Sequence, residues 1–348
     1  MYRLRSLSFL AVSLLSTCLG ASAWAQSGSG AGQPNIVFIM VDDMGYGELG
    51  VTGQLDRASN GLPAILTPNI GALATGGMMI ENFYATPICA STRGSLLTGF
   101  HNGHSSIDRN GGNNGGNALR DVDVTWGETL QQAGYTTGAY GKWGVGGYDH
   151  TILGIGVDDE NNAAITHALA TPSSRGFDEF YGYLNQVHAH DYYVDFLWEH
   201  DTDGSGDIGG MQVDLVSSSD YAHDLMADRS LQFITDHAGD DPFMLYLPYT
   251  IPHGNFDPPQ DAVWQAFKDA GYTNAQADYA AMMARMDSSV GDVIDRLQDP
   301  NGDGDTSDLG YAGTSKGYTS ARLLRTPRCA ASSSPMARIR ERNTWRGR

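Results

Sequence analysis

The feature that most constrains the fold is an uninterrupted apolar segment, Asn-Ile-Val-Phe-Ile-Met-Val at 35–41, followed at once by Asp42 and Asp43. A strand that is apolar at every position, rather than at alternate positions, is typical of a parallel sheet covered on both faces. Residues 135–140 and 243–249 predict two further strands of this sheet. The sequence therefore predicts an α/β fold with a mainly parallel central sheet sandwiched by helices.

Predicted helices lie before, between and after these strands. A Thr-Pro opening at 67–68 predicts the start of one helix, and apolar periodicity predicts three others over 126–133, 221–237 and 278–297. The stretch from Met78 to Tyr84 predicts one more strand.

Chemically reactive side chains follow the predicted strands at their carboxyl ends. Asp42 and Asp43 would repel each other unless a cation lies between them, and oxygen ligands favour calcium, with magnesium as the alternative. Lys142 follows the strand at 135–140, and His253 follows the strand at 243–249. Ligands bind at the carboxyl edge of an open parallel sheet, so these residues are expected to converge there.

A lone cysteine, Cys89, lies in the stretch Thr-Pro-Ile-Cys-Ala-Ser-Thr-Arg-Gly-Ser-Leu-Leu-Thr-Gly at 86–99. Ser91 or Thr92 is the expected helix cap, which places Cys89 at or just before a helix N-terminus. Free amides there, together with Arg93, favour binding of an anion such as sulfate or phosphate. The alternatives are a small buried cysteine and a solvated arginine.

The N-terminal 25 residues are predicted to be an export signal. Arg3 and Arg5 precede an apolar run, and small residues then offer a cleavage site. The mature protein is therefore expected to be periplasmic or secreted. Cys18 leaves with the signal and Cys329 lies in the tail, so a disulfide framework is excluded.

Charge divides the chain into an acidic body and a basic tail. The formal net charge is −19, of which residues 321–348 contribute +7 (eight Arg, one Glu) and the signal +2, leaving −28 for residues 26–320. Such a body argues against nucleic acid and anionic membranes as partners. No apolar run after the signal is long enough to span a membrane.

Other candidates are weaker. His188 and His190 alternate, as expected if both face one side of an extended segment, and either a substrate-pocket role or a structural role is open. Residues 201–207 and 299–305 resemble the start of calcium loops. Gln212 and Gly310 stand where the final acidic ligand is expected, so solvated acidic loops are favoured.

Cys-Ala-Ser-Thr-Arg followed by Leu-Leu-Thr-Gly resembles the signature of formylglycine-dependent sulfatases, the arylsulfatase-like members of the alkaline-phosphatase-like superfamily. Ser91 and Thr92 depart from the usual Pro or Ala and the usual Ser. The resemblance extends from about Asn35 to Asp295. Its other motifs are the strand with its Asp pair at 42–43, Gly-Lys-Trp at 141–143, Gly-Phe-Asp at 176–178 and Pro-His at 252–253; Gly144 stands where a histidine is frequent.

The resemblance implies hydrolysis of a small-molecule or glycan sulfate ester. Cys89 would become formylglycine through a formylglycine-generating enzyme, and would bind calcium together with Asp42 and Asp43. The site set that it implies is Cys89, Arg93, Lys142 and His253 for catalysis, with Lys142 and His253 also binding the substrate. His188 and His190 are added as substrate-binding candidates on the basis of their alternation alone. The alternatives are a phosphodiesterase or phosphonate hydrolase of the same superfamily, and an inactive fragment or non-catalytic secreted binding protein.

Sulfatases continue with an apolar strand ending in Asp-Asn-Gly, which the residues after 297 do not contain. The predicted domains are therefore the signal at 1–25, an incomplete catalytic domain at 26–320 and an aberrant, disordered basic tail at 321–348, with the C-terminal part of the fold missing. The Arg-rich tail suggests a reading frame translated out of register, and the chain as written is then expected to be inactive. A genuine basic tail is the alternative.

Overall fold

The computed structural model describes residues 33–110, 118–146, 170–201, 210–239 and 242–304, together with the backbone of a strand at 322–325. The predicted export signal and most of the basic tail lie outside these residues. The strands are β1 (Ile36–Val41), β2 (Thr136–Lys142), β3 (Glu179–Tyr183), β4 (Phe196–His200), β5 (Met211–Leu215), β6 (Phe243–Pro248) and β7 (Arg322–Arg325). The helices are α1 (Gln54–Ser59), α2 (Pro68–Gly76), α3 (Cys89–Thr98), α4 (Trp126–Gln132), α5 (Ala222–Asp236), α6 (Ala262–Asp269) and α7 (Asn274–Gln298).

The seven strands form one sheet in the order β5-β4-β3-β2-β6-β1-β7. Strands β3, β2, β6, β1 and β7 are parallel to one another, whereas the β3–β4 and β4–β5 pairs at one edge are antiparallel. The carboxyl ends of β1, β2 and β6 therefore meet at one edge. This confirms the predicted α/β class with a mainly parallel sheet.

Strand β1 is covered on both faces, as its apolar run predicts. Val37, Ile39 and Val41 belong to one core, which also contains residues of α2, α5 and α7. Met40 belongs to a second core on the other face, with residues of α3 and neighbouring loops. Every position of the strand therefore contacts apolar side chains, which is why it does not alternate.

Helix α2 begins after Thr67 with Pro68 at its first position, as predicted. Its free N-terminal amides are satisfied from outside the helix. The Asp287 carboxylate on α7 accepts hydrogen bonds from the Asn69 amide (3.2 Å) and the Ile70 amide (2.9 Å). A residue of α7 thus completes the N-terminus of α2.

Two expectations about strands were wrong. Residues 78–84 form no strand, and Met78 and Tyr84 are exposed at 85% and 84%. No strand pairs with them within the described residues. Conversely, β7 pairs in parallel with β1, with Val41 opposite Arg325, although no strand was predicted after α7. The rest of the predicted disordered tail lies outside the described residues.

None of the helices in the described ranges combines the length and the apolar character that crossing a bilayer requires.

Candidate active site

The site lies at the carboxyl edge of the sheet, where different strands each contribute one part. Asp42 directly follows β1, Lys142 is the last residue of β2, and His253 lies in the turn after β6. Cys89 and Arg93 enter from α3. The predicted convergence of these side chains is confirmed by their contacts.

Cys89 is the first residue of α3 and is 1% exposed. Ile88 is the N-cap and provides no side-chain cap, so the expected cap at Ser91 or Thr92 is wrong. Both hydroxyls instead donate to the Ile88 carbonyl oxygen, from 3.1 Å and 3.0 Å. These bonds anchor the first turn of the helix beneath Cys89.

Asp42 is the electrostatic centre of the buried part of the site. Its Oδ2 atom lies 2.9 Å from Lys142 Nζ and 3.1 Å from Arg93 Nη2, and all three side chains are fully buried. Arg93 also donates to the Lys142 carbonyl oxygen. Burial alone would raise the pKa of Asp42, but Lys142, Arg93 and His253 hold it well below its usual range. Asp42 is therefore ionised, and two cations remain buried beside it.

Asp43 and two histidines form the more open part of the site. Asp43 adopts the left-handed backbone conformation (φ 59°), which is uncommon outside glycine. Its Oδ2 lies 3.4 Å from His253 Nε2, and the ring of His190 stacks on that of His253 at 4.4 Å. Burial, Lys142 and His253 lower the pKa of His190 to about 3, so His190 is neutral near pH 7.

Cys89 also contacts His253. Burial lowers the pKa of His253, but a hydrogen bond with Cys89 and the carboxylates of Asp42 and Asp43 outweigh burial and the repulsion from Lys142, and the pKa is raised. His253 thus links the cysteine to the acidic pair. It can hold a proton next to the side chain of residue 89.

The two histidines of the 188–190 segment have different surroundings. The segment is a single 3-10 turn, not the extended stretch that the alternation suggested. The ring of His188 packs against those of Tyr183 (5.0 Å) and Phe196 (4.4 Å), whereas that of His190 packs against His253. A 3-10 turn rotates alternate residues away from a shared face, so His190 joins the cluster while His188 packs among aromatic rings.

One residue of the site was missed by the sequence argument. Asn110 lies in a Gly- and Asn-rich predicted loop at 102–117, and its Oδ1 accepts a hydrogen bond from the Ala90 amide at 3.0 Å. Its Nδ2 lies 3.8 Å from Cys89 Sγ. Several other asparagines occupy the same loop, so no signal in the sequence singles out Asn110.

Gly144 stands where sulfatases frequently have a histidine, and its surroundings leave no room for a side chain. Its φ is +72°, and a Cβ there would lie 2.3 Å from Gln186 Nε2 and 3.4 Å from Arg93 Cδ. The Gln186 amide donates to the Gly144 carbonyl oxygen at 2.9 Å and fills this space. A side chain at position 144 is therefore excluded while Gln186 keeps its position.

Asp42 and Asp43 are the candidate metal ligands among the described residues of the site. Asp42 and Asp43 provide the hard oxygen atoms that calcium prefers. Among the described residues, however, no group of three Asp, Glu, His or Cys side chains is arranged to hold an ion. The acidic pair thus fits part of a calcium site, and the described ranges contain no complete one.

Comparison with known proteins identifies the family. The sulfatase family model matches residues 34–307. Mouse arylsulfatase J is 26% identical over 275 residues, which are 76% of this chain and 40% of that protein. A sulfatase from Formosa agariphila is 28% identical over 309 residues, 79% of this chain and 55% of that protein. The chain thus spans about half the length of these curated relatives.

A solved structure gives the same result. Ps i-CgsB, in complex with k-i-k-neocarrahexaose, is 25% identical with a TM-score of 0.57, covering 76% of this chain and 55% of that one. The two proteins share the alkaline-phosphatase-like fold that is typical of sulfatases. The family model covers β1, α3, β2 and β6, and with them every residue of the cluster at the sheet edge. The chain belongs to the sulfatase family.

Proposed function

We propose that the protein hydrolyses sulfuric esters, with residue 89 as the position of the nucleophile. The observation that supports this most is the convergence of Cys89 with Arg93, Lys142 and His253 at one edge of the sheet. A sulfate ester carries negative charge on its sulfuryl oxygens, and further negative charge develops on the departing alcohol oxygen as the ester bond breaks and the sulfuryl group is transferred to residue 89. Buried cations that are already in place stabilise such charge without reorganisation.

The described residues have separate roles in this proposal. Arg93 and Lys142 are fixed by Asp42, so their charges face the site in a constant geometry. His253, with its raised pKa, holds a proton beside residue 89 and is suited to give it to a departing alcohol. His190 stacks on His253 and restricts the orientation of its ring.

The nucleophile in this proposal is formylglycine, made from Cys89 by a formylglycine-generating enzyme. When present, the hydrated aldehyde supplies an oxygen nucleophile in place of the thiol. Support comes from the match of residues 89–99 to the sulfatase signature and from the position of Cys89 at the N-terminus of α3. Ser91 is the departure that bears on recognition by the modifying enzyme.

Calcium is proposed as the cofactor, with magnesium as the alternative. When bound, a divalent cation polarises sulfate oxygens as a Lewis acid. Asp42, Asp43 and the modified residue 89 are the proposed ligands. Arg93 and Lys142 already offset the charge of Asp42, so part of the charge balance of the site does not depend on the ion.

The proposed compartment is the periplasm or the exterior, because the first 25 residues have the pattern of an export signal. A sulfated glycan is the proposed substrate class. This rests on the likeness to Ps i-CgsB, whose structure holds k-i-k-neocarrahexaose, and to N-acetylgalactosamine-6-sulfatases, of which the rat protein is 29% identical.

The test is turnover by the full chain, co-produced with a formylglycine-generating enzyme, on an aryl sulfate, a sulfated oligosaccharide and a phosphonate monoester. Peptide mass spectrometry over 58–93 measures conversion of Cys89. On the alternative of a genuine basic tail, we expect sulfate release that is lost in Cys89→Ala and retained in the matched Cys329→Ala. Converted protein without sulfate release, or faster cleavage of the phosphonate, would contradict the proposal.

A further inference from the structure

Asn110 makes two contacts through one amide group. Its Oδ1 accepts from the Ala90 amide in the first turn of α3, and its Nδ2 lies within hydrogen-bond distance of Cys89 Sγ for a sulfur acceptor. The residue is exposed, whereas Cys89 is buried. Asn110 therefore covers Cys89 from the solvent side.

We propose that Asn110 is a positioning residue for the side chain of residue 89. This inference rests on the proposed function, in which residue 89 carries the nucleophile. The acceptor end of the amide is fixed by the backbone of α3, so the donor end has a set direction. The N–H group of Asn110 therefore faces the atom attached to the Cβ of residue 89. That atom is held between Asn110 and His253.

The amide suits this task both before and after modification of Cys89. A thiol sulfur and an oxygen on the same Cβ both accept hydrogen bonds, so an N–H donor fits either. Asn110 is neutral and leaves the charge balance of Asp42, Arg93 and Lys142 unchanged. It thus limits the rotamers of residue 89 without competing for the anion.

The two contacts can be separated by substitution. Asn110→Asp keeps an oxygen acceptor for the Ala90 amide and adds a favourable negative charge at the helix N-terminus, but lacks the N–H donor. Asn110→Ala lacks both. If Asn110 only caps α3, aspartate should replace it without loss of activity. If Asn110 positions residue 89, aspartate should not replace it.

We expect kcat for sulfate release to fall about tenfold to hundredfold in both Asn110→Asp and Asn110→Ala, with the melting temperature of Asn110→Asp at or above that of the wild type. If Asn110→Ala does not fold, Asn110→Asp carries the test. The matched controls are Asn82→Asp and Asn82→Ala, at an exposed asparagine whose side chain contacts Tyr84; both should keep the wild-type kcat. Full activity of Asn110→Asp overturns the inference.

A second measurement does not depend on turnover. In protein made without the modifying enzyme, the side-chain amide resonance of Asn110 is identified by NMR from its absence in Asn110→Asp. It should shift in Cys89→Ala and stay in place in Cys329→Ala. A shift supports the contact even if no sulfatase activity is found, which would count against the proposed function alone. An unmoved resonance in Cys89→Ala overturns the inference whatever the activity.

Discussion

The protein should lose stability in mild acid because of one buried histidine that is not among the residues of the candidate site. His223 on α5 is fully buried; its Nε2 lies 2.9 Å from Ser289 Oγ, and its ring packs edge-on against Tyr249 at 4.8 Å. Its Nδ1 has no hydrogen-bond partner within the described residues. Burial and the charge of Arg285 lower the pKa of His223 to about 3.

The direction and size of this stability loss follow from the difference in proton binding between the unfolded and the folded protein. The unfolded chain binds a proton at His223 with a pKa of about 6.5, and the folded protein does not until about pH 3. The unfolded state therefore binds more protons, and stability falls as the pH drops below about 6.5. For this one group, the loss between pH 8 and about pH 5 is about 2 kcal/mol.

His223→Gln is the matched test, since glutamine can still bond Ser289 but does not titrate. Urea unfolding at pH 8 and about pH 5 gives the acid-induced loss for each protein. We expect this loss to be smaller in His223→Gln by about 2 kcal/mol. His104→Gln, at an exposed histidine, should match the wild type. An equal acid-induced loss in His223→Gln and wild type would refute the reasoning.

Two further predictions concern the site itself. Asp42→Ala should lower the free energy of unfolding by about 3–5 kcal/mol, because it leaves the buried charges of Arg93 and Lys142 without their shared partner; denaturant unfolding that shows no loss would contradict the ion-pair assignment. Gly144→Ala should cost about 1–3 kcal/mol through its positive φ and its overlap with Gln186, and should cost less in a Gln186→Ala background. Equal costs in the two backgrounds, measured by the same unfolding assay, would show that the overlap is absent.

The sequence predicted those site residues that follow from the sheet. An apolar run that ends in Asp42 identifies a parallel strand, and parallel strands bring their carboxyl ends together, so Lys142 and His253 could be placed beside it. Asn110 could not be predicted, because its role depends on the path of a Gly- and Asn-rich loop back to α3. Likewise, the filling of the space at Gly144 by Gln186 is a contact between loops 42 residues apart.

Sequence patterns gave wrong predictions where the secondary structure of a segment depends on its contacts with other segments. The run from Met78 to Tyr84 has strand propensity, but a strand also needs a neighbour for its backbone, and the described residues offer none there. The alternation of His188 and His190 suggested one shared face, which the 3-10 turn removes. Propensity and periodicity describe a segment alone, whereas pairing is decided by the rest of the fold.

The bond from Asp287 to the start of α2 bears on how the chain is assembled as it leaves the ribosome. The amides of Asn69 and Ile70 emerge more than 200 residues before the carboxylate that accepts their hydrogen bonds. During synthesis α2 is therefore left without this cap until α7 has been made and docked. We infer that nascent chains stalled before Asp287 expose the N-terminus of α2 to proteases, and that its protection arises late and together with that of α7.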